Sequence, residues 1–364
     1  MHQQTSTHIP FLPPLAMRLA LVIGLLVTLT LAIWAGLLRM GWALPALSSD
    51  MVMGHGSLMI AGVAGTLIAL ERAVALQRRW VFLAPALSAA GAILLMLGAP
   101  AFLSAILFFM GSAVYVAASA LMVKLVPDRY VQVMGLGAVC LLIGNALRLV
   151  NLPVLVSVAW WMTFLILTVA GERLELGRLA KLPHVADALF WVPIGLLGLG
   201  CVLSLFAHDA GARALGAGEL VLAAWLLRFD IARKTIRRDG TPRFSAISLM
   251  TGYVWLGVSG ILQMAGGGAL SGLLYDAQLH ALFVGFLFSM IFGHAPIIAP
   301  TLAGVWVSNV RRLYVPLGLL HFSLVLRVMG DLLPDGLLRQ WGGMLNAVAL
   351  LLFLVLFVAS RNKK

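Results

Sequence analysis

Two histidines inside apolar segments are the residues of this sequence best suited to chemistry. His55 lies in the segment Met51 to Leu70, and His280 lies near the start of Ala277 to Ile298. An ionisable side chain at membrane depth costs free energy unless it is satisfied, so each is a candidate functional residue. Both lie a turn or so from the start of their segments, roughly 6 to 8 Å below the outer boundary at about 1.5 Å per residue.

Two imidazoles that face each other from different helices at one depth suit axial ligation of a haem iron, and the apolar macrocycle suits a bundle interior. Haem propionates would need cations above this level, and Arg39, Arg148 and Arg327 lie at the outer ends of odd-numbered segments. Met59, one helical turn below His55, has a sulfur that suits a soft metal such as Cu(I). The alternatives are that each histidine is hydrated or bonded to a main-chain carbonyl, and that Met59 only packs.

A second histidine pair is expected nearer the inner side. His294 follows His280 by fourteen residues, which at about 100° per residue places both within roughly 40° of one helix face and about 21 Å apart. His321 lies at comparable depth on the next segment. His294 and His321 could form a second metal site or a step in a proton path. The alternative is that each bonds a main-chain carbonyl freed by Pro296 or Pro316.

The composition requires a membrane as the main solvent. The 364 residues are 62% hydrophobic and only 10% charged, and the mean hydropathy is +1.03. Twelve apolar segments each come close to the roughly 20 residues that span a bilayer. They predict an all-α polytopic membrane helix bundle, built as a single transmembrane domain over residues 1–364. The segments are Leu19 to Leu38, Met51 to Leu70, Val81 to Leu97, Phe102 to Val123, Val131 to Leu147, Leu152 to Ala170, Ala188 to Ala207, Leu215 to Leu227, Ile247 to Met264, Ala277 to Ile298, Leu313 to Leu326 and Met344 to Ser360.

The basic residues predict the orientation of the bundle. With both termini cytoplasmic, twenty of the 25 Lys and Arg residues are cytoplasmic, and those that remain outside are Arg39, Arg148, Arg213, Arg327 and Arg339. This is the positive-inside pattern, so the net charge of +12 indicates orientation and not nucleic-acid binding. The lipid bilayer is therefore the expected partner. A similarity between the fifth and eleventh segments also suggests a weak two-fold repeat, 19–170 and 188–360.

The longest polar connections are Gly171 to Asp187 and Arg228 to Arg243, both expected to be cytoplasmic. The first could form a short amphipathic helix on the membrane surface, and the second a loop with a turn. Cys140 and Cys201 fall in separate apolar segments, so neither a disulfide framework nor a metal-binding CxxC motif is expected.

At its two histidine segments the chain resembles the NnrS family of twelve-span membrane proteins. The tenth segment is similar to that family's His-Ala-Leu helix, because His280-Ala-Leu is followed at matching spacing by Gly285, Met290 and Gly293. The second segment is similar in part to the family's His-x-His-Glu-Met helix. There the matching positions are His55, Met59 and Gly62, whereas Ser57 replaces the second His and Leu58 replaces the Glu. A copper ligand and a carboxylate are therefore missing from these two positions.

The NnrS resemblance implies a haem protein, with copper as a second metal, in the inner membrane of a bacterium and in its response to nitric oxide. A membrane or periplasmic electron donor is the implied partner. Haem–copper oxidase catalytic subunits are similar in span number and also take haem ligands from their second and tenth spans. Here the sixth and seventh segments contain no histidine, so oxygen reduction is not expected.

The leading hypothesis is therefore a haem-binding membrane protein that uses His55 and His280. Two hypotheses from other classes stay open. One is a secondary transporter of a small solute, built from two six-helix repeats. The other is a structural or assembly subunit in which every histidine is packed or hydrated.

Overall fold

A computed structural model describes residues 13–45, 52–150, 152–178, 183–269 and 271–361. Its secondary structure is almost entirely helical, and no strand occurs in these ranges. Twelve helices are long and apolar enough to cross a membrane. They are α1 Leu15–Arg39, α2 His55–Leu76, α3 Arg79–Met96, α4 Ala101–Leu125, α5 Arg129–Leu149, α6 Val154–Gly177, α7 His184–Leu203, α8 His208–Phe229, α9 Thr241–Gly266, α10 Leu273–Ala303, α11 Val310–Leu332 and α12 Gly336–Ala359.

Each of the twelve apolar segments corresponds to one of these helices, so the predicted all-α polytopic bundle is confirmed. The agreement has a physical cause: backbone polar groups in lipid must be satisfied within the segment, which leaves the helix as the form of a long apolar run. The names outer end and inner end are kept below for the two ends of the bundle that the charge pattern assigned. The N-terminal tail, with His2 and His8, lies outside the described residues.

The connection expected from Gly171 to Asp187 differs in the structure. Helix α6 continues to Gly177, and α7 begins at His184. Arg173 is buried in this added turn, where its side chain is 3% exposed. The apolar pattern ended at Ala170 because the last turn of α6 carries charges that are paired inside the bundle. Between α8 and α9, a single short helix, Ala232–Thr235, breaks the other polar connection.

Helices α2 and α10 are not regular α-helices along their whole length. In α2 the residues Leu58–Ala64 form a π-helix, and in α10 the residues Ala281–Leu287 do the same. A π-turn closes its hydrogen bonds from i to i+5 and therefore holds one residue more than an α-turn. Such turns are rare and often lie at functional sites.

The most enclosed helices are α6 and α2. Of the 18-residue apolar stretch with which each could span a membrane, 83% is buried in α6, 78% in α2 and 61% in α10. Helix α1 packs against α2, α3, α10 and α12. Helix α11 packs along α12 and also contacts α10. The two helices that carry His55 and His280 therefore lie inside the bundle, with α1 in contact with both.

Candidate functional site

His55 and His280 each lie immediately above a π-helical turn. His55 begins a single α-turn, His55–Ser57, that leads into the π-turn of α2. His280 is the last residue of the α-helical part Leu273–His280, and the π-turn of α10 follows directly. The same local irregularity thus lies below both histidines that the sequence singled out.

The His55 ring is held by helix α1. Its Nδ1 lies 2.8 Å from the main-chain carbonyl oxygen of Ala32. A carbonyl can only accept, so Nδ1 donates the proton and the neutral ring keeps its lone pair on Nε2. One turn further along α1, a Cβ added at Gly36 would lie 2.8 Å from Cε1 of this ring. Glycine at position 36 therefore leaves the space that the imidazole fills.

The His280 ring is held in the same way by its own helix. Nδ1 lies 2.7 Å from the main-chain carbonyl oxygen of Asp276, one turn earlier, and 3.6 Å from the Asp276 carboxylate. The lone pair again remains on Nε2. Histidines that bind a metal usually donate the other ring N–H to a carbonyl or carboxylate, which fixes the tautomer and the ring direction. Both rings show this arrangement, and both are half-buried.

Asp276 joins three helices at the outer end. Its carboxylate lies 2.7 Å from the Arg327 guanidinium on α11 and 3.2 Å from the Arg339 guanidinium on α12. Arg339 also pairs with Asp331 at 2.8 Å. Arg327 is buried, and a Cβ added at Gly343 of α12 would lie 2.6 Å from its Nη1. The missing side chain at Gly343 therefore leaves the space that the Arg327 guanidinium occupies.

The two histidines belong to one site. Both interact electrostatically with Arg327 and Asp276, and they interact with each other. His55 also interacts with Arg39 at the end of α1. Sequence reasoning found both histidines and both arginines, but it did not assign a role to Asp276. The signal for it was its spacing four residues before His280, which places the two on one face of a helix.

The donor set of this site fits the axial ligands of a haem. It offers two neutral imidazoles whose Nε2 lone pairs no described residue bonds, and two arginines near them. A haem iron takes its remaining ligands from the macrocycle, so two protein ligands suffice. In the described ranges no group of three or more His, Cys, Asp or Glu side chains is arranged to hold a bare metal ion.

Two of the expected cofactor contacts differ in the structure. Arg148 donates from Nη1 to the carbonyl oxygen of Leu152 at 2.6 Å. It ends α5, which packs on α4 and α6 and not on the histidine helices. Met59 lies within the π-turn and packs between three apolar clusters.

The inner histidine pair is not assembled as expected. His294 bonds the Met290 carbonyl oxygen through Nδ1, and its Nε2 lies 3.3 Å from Arg173 Nη1 on α6. His321 accepts the Trp255 indole N–H at Nδ1, 3.0 Å away, so its Nε2 carries the proton in the neutral ring. Neither ring has a free lone pair for a metal. A π-turn lies between His280 and His294, so the constant 100° per residue behind their predicted shared helix face does not hold along that stretch.

The structure adds an inner polar cluster that sequence reasoning missed. Arg173 pairs with Asp230 at 3.0 Å, and Arg72 pairs with Glu172 at 2.6 Å. His294 completes the cluster through its contact with Arg173. We call these five residues the inner cluster. Arg72 and Arg173 were counted among the cytoplasmic basic residues, and nothing in their spacing showed that they turn inward.

Comparison with known proteins gives a family. The family model described as a domain of unknown function, DUF8744, matches residues 18–362, which is nearly the whole chain. No curated protein matches the chain. This all-α, multi-pass membrane protein therefore belongs to the DUF8744 family.

Proposed function

We propose that this protein binds haem between α2 and α10 through Nε2 of His55 and His280. The observation that carries the proposal is that the two imidazole rings have the same hydrogen-bonding arrangement. Each donates Nδ1–H to a main-chain carbonyl, and neither Nε2 has a hydrogen-bond partner among the described residues. Two histidines that only pack in a bundle need not share this state, or interact with each other from separate helices.

A haem bound here would supply one-electron redox chemistry and, after loss of a ligand, binding of a small diatomic molecule. The chain's own residues would hold and tune it. Ala32 and Asp276 fix the directions of the two rings through their carbonyl oxygens. Arg39 and Arg327 are the cations available to the propionates, and Asp276 keeps Arg327 in place.

The resemblance to the NnrS family supports a role in the nitric oxide response, in the inner membrane of a bacterium. Because the site lies at the outer end of the bundle, we propose that electrons arrive from a membrane or periplasmic donor at that end. Copper has less support, because the His294 and His321 rings are both engaged by other groups.

The secondary-transporter hypothesis has less support from the helix geometry. A transporter built from two six-helix repeats would place its interrupted helices at equivalent positions of the two halves. The π-turns lie in α2 and α10, which are eight spans apart and not six.

The test is an absorption spectrum of the purified protein, expressed with haem supplied. We expect a Soret band that is lost in His55→Ala and in His280→Ala. His321→Ala is the matched control, because this ring lies on a neighbouring helix with Nδ1 bonded to Trp255. It should keep the band, and gel filtration shows whether each variant folds. A colourless wild-type protein would overturn the proposal, as would a Soret band that survives the double replacement of His55 and His280. A colourless protein with saturable solute uptake would select the transporter.

A further inference from the structure

Helix α8 carries an acidic residue at its middle, Glu219. It lies about 16 Å from either end of His208–Phe229 at about 1.5 Å per residue. The residue is completely buried. Neither carboxyl oxygen has a well-formed hydrogen bond to any described residue. A carboxylate in this position would lack both water and a counter-ion, and ionisable groups at membrane depth mark proton or ion pathways more often than packing positions.

The surroundings of Glu219 contain one polar partner and no charge. Glu219 lies on the seam between α8 and α9, since a Cβ added at Gly260 of α9 would lie 3.2 Å from its Cβ. The Ser259 hydroxyl is the sole described group that interacts with its carboxyl. That hydroxyl is itself buried without another partner. Glu219 is therefore unlike the carboxylates of the inner cluster, each of which faces an arginine.

Other titratable groups on α8 and on the helices packed against it do not reach Glu219. No charge from any of them acts on its carboxyl. They are His208, Asp209, Arg213 and Arg228 on α8 itself, Arg243 and Tyr253 on α9, His184, Asp187 and Cys201 on α7, Glu172, Arg173 and Glu175 on α6, and Arg233 and Lys234 on the short helix Ala232–Thr235. The protonation of Glu219 thus depends on access to water more than on neighbouring charges.

A cavity of about 50 Å³ lies between α6, α8, α9 and α10, on the outer side of Glu219. It holds roughly three to five water molecules at the 10–15 Å³ that each needs. On α8 it is lined by His208, at the start of the helix, by Ala212 and by Leu215, the last of which lies one turn above Glu219. Gln263, one turn above Ser259 on α9, also lines it, and the Gln263 amide oxygen is buried without a partner. The cavity therefore ends one helical turn from the Glu219–Ser259 pair and offers polar groups that suit water.

We propose that Glu219 is a proton-binding site at the centre of the membrane, and that it exchanges its proton with the outer side through this cavity. In the uptake step the carboxylate takes a proton from a hydronium ion in the cavity and leaves a water molecule. In the release step the carboxylic acid returns the proton to water. Ser259 can bond either form, because its hydroxyl both donates and accepts. The site is separate from the histidine pair and does not depend on haem.

Infrared difference spectroscopy on the full-length protein in liposomes tests this proposal. The outer buffer is changed between acidic and alkaline while the inner buffer is held constant. We expect the carbonyl stretching band of a protonated carboxylic acid at acidic outer pH, with a shift in D₂O and a loss at alkaline outer pH. The band should be absent from Glu219→Gln and present in Glu175→Gln, because Glu175 is an exposed carboxylate. A band that does not respond to the outer pH, or that persists in Glu219→Gln, would overturn the proposal.

Carbodiimide labelling tests the route. A hydrophobic carbodiimide modifies protonated carboxyls, and mass spectrometry locates the product. We expect the label on Glu219, at a rate that falls as the outer pH rises. Ala212→Leu fills the cavity and should slow the change of the infrared band after an outer pH jump. Ala214→Leu places the same side chain two residues away, outside the cavity, and should leave the rate unchanged. Equal rates in the two leucine variants would show that the cavity is not the route.

Discussion

The outer histidine pair and the inner cluster use the same residue type with opposite results. In both regions a histidine donates Nδ1–H to a main-chain carbonyl oxygen. At the outer end no described residue bonds Nε2, whereas Arg173 meets Nε2 of His294 at the inner end. The carbonyl bond orients a buried imidazole, but the group facing the second nitrogen decides whether it can bind a ligand. The charges differ as well, since Asp276 is shared by two arginines and Arg173 is paired with a buried Asp230.

The largest expected effect comes from breaking the inner ion pair. In Arg173→Ala, Asp230 keeps a buried charge without a partner, which typically costs about 3–5 kcal/mol. Chemical denaturation in detergent, followed by circular dichroism, measures this loss. Arg178→Ala is the control, because Arg178 and Asp128 form an exposed pair worth about 0–1 kcal/mol. Equal losses in the two variants would mean that the inner cluster does not stabilise the fold.

Breaking the outer network should cost less. Asp276→Asn removes the charge that Arg327 and Arg339 share, and charged hydrogen bonds are worth about 1.5–3 kcal/mol. The His280 ring should keep its direction, because it is held by the main chain of residue 276. We therefore expect lower stability in the same denaturation assay with the Soret band retained. Loss of the band at unchanged stability would contradict this division of roles.

A side chain at position 36 should disturb the outer histidine pair and leave the inner cluster intact. Gly36→Val places its Cβ against the His55 ring, and overpacking of this kind costs about 1–3 kcal/mol. We expect a weakened Soret band and a lower melting temperature. Gly24→Val is the matched control on the same helix, because nothing lies within 4 Å of a Cβ at that position. The site geometry would be wrong if the two variants behaved alike.

The smallest effect is expected near the middle of α9 and α11, next to His321. Trp255→Phe removes the indole N–H that bonds His321, a loss of about 0.5–1.5 kcal/mol. The ring still fills most of the space that the π-turn residue Gly285 leaves for Trp255. We expect a slight loss of stability in the denaturation assay and an unchanged absorption spectrum. A large spectral change would place His321 in the functional site.

The sequence was sufficient to predict the twelve helices, because the bilayer imposes their length and polarity on every segment. It also predicted His55 and His280, since their depth follows from distance along the helix. It did not predict the environment of Arg173 or Glu219. The charge of Arg173 was assigned to a loop, and a single carboxyl among apolar residues hardly changes the hydropathy of α8. Both depend on which helix lies opposite, and that is set by packing between distant parts of the chain.

The same limit applies to the expectations for Met59 and His294. Both used a constant 100° per residue, although Met59 lies within the π-turn of α2 and His294 lies beyond the π-turn of α10. The interactions of Arg148 were missed for a different reason, since matched depth says nothing about lateral distance. Helix α5 brings Arg148 to the correct level of the membrane but to another side of the bundle.

The π-turns in α2 and α10 also set how the chain tolerates changes in length. Deleting one residue within Leu58–Ala64 would let that stretch revert to the α-helical repeat. Because a π-turn holds one residue more than an α-turn, the portions of α2 above and below it would keep their relative direction. His55 would stay against Ala32, whereas the same deletion in a regular α-helical part would rotate the ring by about 100°. Each π-turn is thus the place where its helix can lose one residue while the upper part, which carries the histidine, and the lower part stay in register.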